Sequence, residues 1–173
     1  MSRRKWLRLD TETSDRILEL AIEDDDEKMS EILNGLEHPN AHLFFSGKNL
    51  TLFDQAPPII SLLAFLKAVK CLRVIMGLDP DLKELDERGL SVFYYAVAGG
   101  SVEIVKMFME CEDKPLSFLE TAARFGSLDV IKYFSLQVDP VSIGLSLHDS
   151  FFRACSNGHL QVAEFIFELM SES

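Results

Sequence analysis

Three stretches of the chain share one pattern of small, glycine and apolar positions. They run from Ala96 to Lys106, from Ala122 to Lys132 and from Ala154 to Glu164. Each places an alanine four residues before a glycine, follows the glycine with Ser or His, and continues with apolar residues at helical spacing. This spacing predicts a helix on either side of a glycine turn. Because such a unit cannot bury its own apolar face, we expect successive units to stack on one another.

The most complete unit begins at Asp86. Asp86 and Gly89 predict a turn, since Asp accepts hydrogen bonds from nearby backbone amides and Gly readily takes a positive φ. Ser91 is then expected to cap a short helix over 92–98, which Gly100 ends in the left-handed conformation. Ser101 is expected to cap a second helix with one broad apolar face, formed by Val102, Ile104, Val105, Phe108 and Met109.

These residues resemble the ankyrin repeat, whose pattern is Asp-x-x-Gly-x-Thr-Pro-Leu-His-x-Ala-x-x-x-Gly-His. The positions in register are Asp86, Gly89, Ser91, Phe93, Ala96 and Gly100, while Val92 replaces the Pro and Tyr94 the His. The resemblance implies an all-α, right-handed solenoid of about five antiparallel helix-turn-helix units with short turn or hairpin fingers. Over residues 58–170 the chain also looks like the divergent ankyrin arrays that are expanded in some parasitic protists.

The remaining units follow the same alignment less closely. We expect them at residues 114–136, 147–170 and 58–75, with Lys67 in place of the turn glycine, and at 15–33, with Ala21 as the small residue. The chain is therefore predicted to be one repeat domain over 1–173, with a basic N-terminal tail at 1–14. An insertion at 34–57 separates the first two units, and it is expected either to pack on the repeats or to contact a partner.

Charge and cysteine content narrow the class of protein. The net charge of −11 argues against a general nucleic-acid or anionic-membrane surface, although the tail itself is basic and contains Trp6. We find no signal peptide and no membrane-spanning segment. Cys71, Cys111 and Cys155 have no paired spacing, which indicates reduced thiols in a cytoplasmic or nuclear protein. Cys71 and Cys155 align with core positions, so both are expected to be buried.

The sequence carries no pattern of catalytic, cofactor-binding or metal-binding residues. His38 and His42 have a metal-like spacing but lack a third ligand nearby. His159 stands at the ankyrin Gly-His position, where the resemblance implies a structural hydrogen bond. No cysteine has a neighbouring His or acid that would activate it. We therefore expect a protein that is not an enzyme.

The function expected is a protein–protein interaction module, a scaffold or adaptor, that binds through a concave face and the turn fingers. The acidic composition favours a protein partner with basic patches. Two alternatives stay open: a recognition domain of a larger enzyme or secreted effector, and a self-associating array. The candidate contact residues are those that stacking does not require: Glu87, Arg88, Leu90, Lys114, Leu116, Arg124, Phe125, His148, Ser156 and Asn157.

Overall fold

The computed structural model describes residues 7–45, 53–112, 115–137 and 140–172, and for 115–116, 140–145 and 172 it describes the backbone alone. Within these ranges the chain is all-helical, with no β-strand beyond isolated bridges at His42. The α-helices of the described residues are α1 (Thr11–Glu23), α2 (Asp26–Asn34), α3 (Ile59–Leu66), α4 (Val69–Met76), α5 (Val92–Gly99), α6 (Val102–Phe108), α7 (Leu119–Arg124), α8 (Leu128–Ser135), α9 (Pro140–Ser156) and α10 (Leu160–Glu172). Short 3₁₀ turns follow α6 (Met109–Cys111) and precede α7 (Pro115–Phe118).

The described helices follow one another as five pairs, each joined by two or three residues. The first helix of every pair ends at a residue with positive φ: Asp24, Lys67, Gly100, Gly126 and Gly158. In four of these turns the amide of the next residue donates to a carbonyl five residues back, as Ser127 does to Ala122. This is the left-handed helix stop predicted for the glycines. The same left-handed stop occurs at Lys67, where the Cβ atom raises the free-energy cost of a positive φ.

The chain forms two compact units, Met1–Tyr95 and Ala96–Ser173, whose boundary falls inside α5. In the first unit α1 packs on α3 and α2 on α4, in addition to the contacts within each pair. In the second unit α7 packs on α9, while α8 contacts both α6 and α10. Within each unit, therefore, first helices lie against first helices and second helices against second helices.

The apolar stripes predicted from the sequence form the core of these pairs. The residues of the α6 and α8 stripes that lie fully buried are Ile104, Val105, Phe108, Val130, Ile131 and Phe134. In the second unit, Ala122 and Ala154 stand four residues before the positive-φ residue of the turn. In the first unit, this position is held by Leu20 and Leu63. The small residue of the first pair is thus replaced by Leu20, one position before the predicted Ala21.

Two predicted boundaries are wrong. Residues 11–14, which were assigned to the tail, belong to α1, because the Asp10 carboxylate accepts from the amide of Thr13 at 2.8 Å and so starts the helix at Thr11. The first helix of the last pair starts at Pro140 rather than near Leu147, since proline is well tolerated in the first turn of a helix. Trp6 of the predicted basic tail lies outside the described part of the chain.

The segment between α2 and α3 packs into the first unit. Ala41, Leu43, Phe45 and Phe53 are buried, whereas Phe44 is 44% exposed and lies beneath the guanidinium of Arg8. His42 is buried at the centre of the segment. Its Nδ1 donates to the carbonyl of Ala56 at 2.6 Å, and its Nε2 lies 3.5 Å from a carboxylate oxygen of Glu84. His38 accepts from the amide of Asn40, so each of these two histidines has a structural hydrogen bond.

Candidate partner-binding surface

Seven of the ten candidate contact residues fall on two surfaces, one in each compact unit. The turn surface consists of Glu87, Arg88 and Leu90 in the first unit. The helix-end surface consists of Arg124, Phe125, Ser156 and Asn157, at the ends of α7 and α9 in the second unit.

The turn surface is held by the buried carboxylate of Asp86. One carboxylate oxygen accepts from the amides of Arg88 at 2.8 Å and Leu90 at 2.7 Å, and the other accepts from the Tyr95 hydroxyl at 2.8 Å. Burial, followed by the hydrogen bond to Asp86, raises the pKa of Tyr95 well above its usual range. The hydroxyl therefore stays protonated and keeps donating to Asp86 throughout the physiological pH range.

This arrangement presents Glu87 and Arg88 to solvent on a fixed backbone. Gly89 takes a φ of +80° at the tip, and the amide of Glu87 donates to the carbonyl of Gln55 at 3.0 Å. Glu87 forms an ion pair with Arg8, and Leu90 is half-buried. Glu87 and Arg88 are thus exposed as predicted, but Arg8 already pairs with one of them.

The helix-end surface is held by a hydrogen bond between successive helix pairs. His159, the residue after the turn glycine of the last pair, donates from Nε2 to the carbonyl of Arg124 at 2.9 Å. Ser127, at the same position one pair earlier, donates to the carbonyl of Ala98 at 3.4 Å. In both cases the acceptor stands two residues before the preceding turn glycine. The second unit therefore contains the same kind of hydrogen bond between successive helix pairs twice.

The same contact explains why the preceding turn residue must be glycine. A Cβ added to Gly126 would lie 2.6 Å from Nδ1 of His159, and one added to Gly100 would lie 2.8 Å from Oγ of Ser127. At Gly158 an added Cβ would meet no atom within 4 Å. The space beside Gly158, which at Gly100 and Gly126 holds a side chain of the next pair, contains no described residue.

The side chains of the helix-end surface differ in exposure. Arg124 is exposed, with its guanidinium 5.7 Å from the centre of the Phe125 ring, and Phe125 itself is half-buried. Ser156 and Asn157 are exposed, and the Asn157 amide donates to the carbonyl of Arg153 at 2.8 Å. The structure thus brings Arg124 and Phe125 together beside the start of α10.

The three remaining candidates lie elsewhere. His148 is exposed but lies in the middle of α9, which begins at Pro140, so it belongs to a helix and not to a turn finger. Leu116 lies in the 3₁₀ turn before α7, where the backbone alone is described. Lys114 falls outside the described residues.

The cysteines also differ from one another. Cys71 is buried, as expected, and burial together with the nearby Asp24 carboxylate raises the pKa of its thiol to about 12. Cys155 is exposed, contrary to expectation, because no described helix covers the side of α9 on which it lies. Its equivalents Val97 and Ala123 are buried. Cys111 is exposed at the end of its 3₁₀ turn.

The last helix pair exposes apolar residues that were not predicted from the sequence. Phe152, Leu160 and Phe167 are 72%, 69% and 59% exposed. A signal for them was present, since Leu160 and Phe167 stand seven residues apart and share a helix face that differs from the predicted core stripe.

Two further findings bear on the class of protein. Among the described residues, no group of three potential metal ligands comes together, and none of the helices combines the length and apolar character needed to cross a bilayer. In comparisons with known proteins, no family model matches the chain and no curated protein sequence is similar to it.

Proposed function

We propose that this chain is an ankyrin-type repeat protein that acts as a protein-binding module. The observation that carries the proposal is the repeated contact of Ser127 with Ala98 and of His159 with Arg124, each made beside a glycine of positive φ. A contact repeated at the same position of successive helix pairs is what a stacked repeat requires. The turn held by the Asp86 carboxylate supports the proposal as well, because the ankyrin resemblance leads one to expect it.

Binding is assigned to the turn surface and the helix-end surface. In both, backbone atoms and buried side chains fix the conformation, whereas the exposed side chains of Arg88 and Arg124 take no part in the hydrogen bonds that hold it. A backbone fixed in this way loses little conformational freedom on binding, which favours affinity. The function proposed is thus that of a scaffold or adaptor in the cytoplasm or nucleus.

Charge suggests the chemistry of the partner. The net charge of −11 favours a protein with basic patches, and the association should weaken as salt screens the attraction. Phe125 is the proposed apolar anchor, since a half-buried aromatic ring next to an exposed arginine can bury further area on binding.

An affinity capture from lysate of the source cells tests the proposal. The variants are Arg124→Ala and Phe125→Ala, and the matched control is Lys132→Ala, which removes an exposed charge on α8 away from both surfaces. Proteins that bind the wild type and the control but are lost from both variants support the helix-end surface. Retention of every captured protein by folded Arg124→Ala and Phe125→Ala variants would exclude it.

A further inference from the structure

The guanidinium of Arg8 contacts two groups that come from distant parts of the first unit. It forms an ion pair with the carboxylate of Glu87, and it lies over the Phe44 ring, 5.9 Å from the ring centre. A guanidinium at this distance is attracted to the face of an aromatic ring, and its planar donors match a carboxylate in charge and geometry. We call the Phe44 ring and the Glu87 carboxylate together the guanidinium site.

Both halves of the guanidinium site stand on backbone that is fixed without the arginine side chain. The Phe44 amide donates to the hydroxyl of the buried Ser14 at 2.9 Å, and more than half of the Phe44 surface is covered. The Glu87 amide donates to the carbonyl of Gln55 at 3.0 Å. The ring and the carboxylate therefore stay near one another when the arginine side chain leaves. A site that is formed in advance binds a new occupant at a low conformational cost.

Arg8 occupies the guanidinium site with an exposed side chain. Its backbone is fixed by its neighbours, because the Leu9 amide donates to the His42 carbonyl at 2.9 Å and the His42 amide donates to the Leu7 carbonyl at 2.8 Å. The Arg8 side chain is 52% exposed, and an ion pair so exposed shifts an equilibrium by roughly fivefold at most. The side chain can therefore turn into solvent while the backbone stays in place, which opens the site to another guanidinium.

We propose that an arginine of the protein partner takes the guanidinium site in place of Arg8. The inference rests on the protein-binding function proposed for this chain, and it names the group by which the turn surface recognises the partner. The net charge of −11 attracts a basic partner. Among basic side chains, arginine is the one that both pairs with a carboxylate through planar donors and stacks on a ring. Arg8 then acts as an internal competitor that lowers the apparent affinity for the partner.

A second arginine of the first unit provides a matched control. Arg16 forms an ion pair with Glu19, three residues further along the same helix, whereas Arg8 and Glu87 are 79 residues apart. In the described part of the chain no aromatic ring lies against Arg16. The substitutions Arg8→Ala and Arg16→Ala therefore remove the same charge and each release a carboxylate, but only Arg8→Ala also uncovers a ring.

Nuclear magnetic resonance of the whole chain, titrated with N-acetylarginine amide at low and constant ionic strength, tests the proposal. In the wild type, the compound should shift the amide signals of Phe44 and Glu87 and return the ring-shifted side-chain signals of Arg8 to those of a solvated arginine. In Arg8→Ala its dissociation constant should fall by about three- to tenfold, because the internal competitor is gone. In Arg16→Ala it should stay close to the wild-type value. N-acetyllysine amide, which carries the same charge, should bind Arg8→Ala more weakly.

A double variant tests the carboxylate. Adding Glu87→Gln to Arg8→Ala keeps the backbone contact of residue 87 and should abolish the gain in affinity, and circular dichroism checks that each variant is folded. Three results would overturn the guanidinium site: solvated-arginine signals for Arg8 in the free wild type, equal gains from Arg8→Ala and Arg16→Ala, or equal affinity for the arginine and lysine compounds. If the arginine compound binds as expected but neither the wild type nor Arg8→Ala captures any protein from lysate, the proposed function fails while the site stands.

Discussion

The close approach of His159 to Gly126 makes a pair of glycine substitutions informative. Gly126 and Gly158 have nearly the same φ, +73° and +76°, and both follow the first helix of a pair. An alanine at Gly126 would place its Cβ 2.6 Å from the His159 ring, whereas an alanine at Gly158 would meet nothing within 4 Å. The two substitutions therefore share the backbone cost and differ in the contact between pairs.

The expected losses can be worked out from these distances. Alanine in the left-handed conformation costs about 1–2 kcal/mol, and the stiffer unfolded chain returns about 0.5 kcal/mol of it, so Gly158→Ala should lose about 1 kcal/mol of unfolding free energy. In Gly126→Ala the ring must also turn away from the Arg124 carbonyl. This loses a hydrogen bond of about 1 kcal/mol and adds about 1–3 kcal/mol of overpacking. We expect a total loss of about 3–5 kcal/mol.

Urea unfolding followed by far-ultraviolet circular dichroism measures both losses, with the slope checked for constancy. A double-mutant cycle isolates the contact: in a His159→Ala background, Gly126→Ala should cost only about as much as Gly158→Ala. Equal losses from Gly126→Ala and Gly158→Ala in the wild-type background would refute the reasoning, because the His159 contact would then not constrain the turn.

Three further substitutions test the other structural roles. Asp86→Ala should lose about 3–5 kcal/mol of unfolding free energy in urea, because it removes the acceptor of two turn amides and leaves the buried Tyr95 hydroxyl unpaired. Tyr95→Phe removes only the hydroxyl and should lose about 1–2 kcal/mol. Asp24→Ala should lose about 1–2 kcal/mol, since the Asp24 carboxylate caps α4 through the amides of Lys70 and Cys71, and Asp24→Asn should retain most of the stability. The pKa of Cys71 is raised from 9.0 to about 12 in the folded chain, so its contribution is complete below pH 9 and is lost as pH rises from there. Above about pH 9.5 the unfolding free energy should fall by about 1.4 kcal/mol per pH unit more steeply for the wild type than for Cys71→Ala, and parallel curves up to about pH 11 would contradict the assignment.

Residues close together in the sequence were sufficient to predict the helices and several of the turns. Gly89, Gly100, Gly126 and Gly158 take the positive φ expected of them, because at a helix stop or turn tip glycine alone adopts it without strain. Ser101 caps α6, accepting from the amide of Ile104 at 3.5 Å. These features depend on residues within four positions of one another, which is the range over which single residue types determine conformation.

Features that depend on distant residues could not be predicted in this way. Lys67 and Asp24 take the same left-handed turn without glycine, since the packing of the helices around them fixes the backbone. The exposure of Cys155 depends on whether another helix covers it, and that is a property of the assembly rather than of the repeat. His42 is buried by contacts with Ala56 and Glu84, which lie 14 and 42 residues away.

The candidate surfaces follow from the way the pairs contact one another. The bond that His159 makes ends on the carbonyl of Arg124, not on its side chain, and the Asp86 carboxylate holds the amide of Arg88, not its guanidinium. Because backbone groups are the same at every residue, the side chains at these positions are unconstrained by the hydrogen bonds that hold the fold. A repeat built on such contacts can change its exposed residues without losing its packing. We therefore expect the proposed contact residues of the two surfaces, such as Arg88 and Arg124, to tolerate substitution without loss of stability.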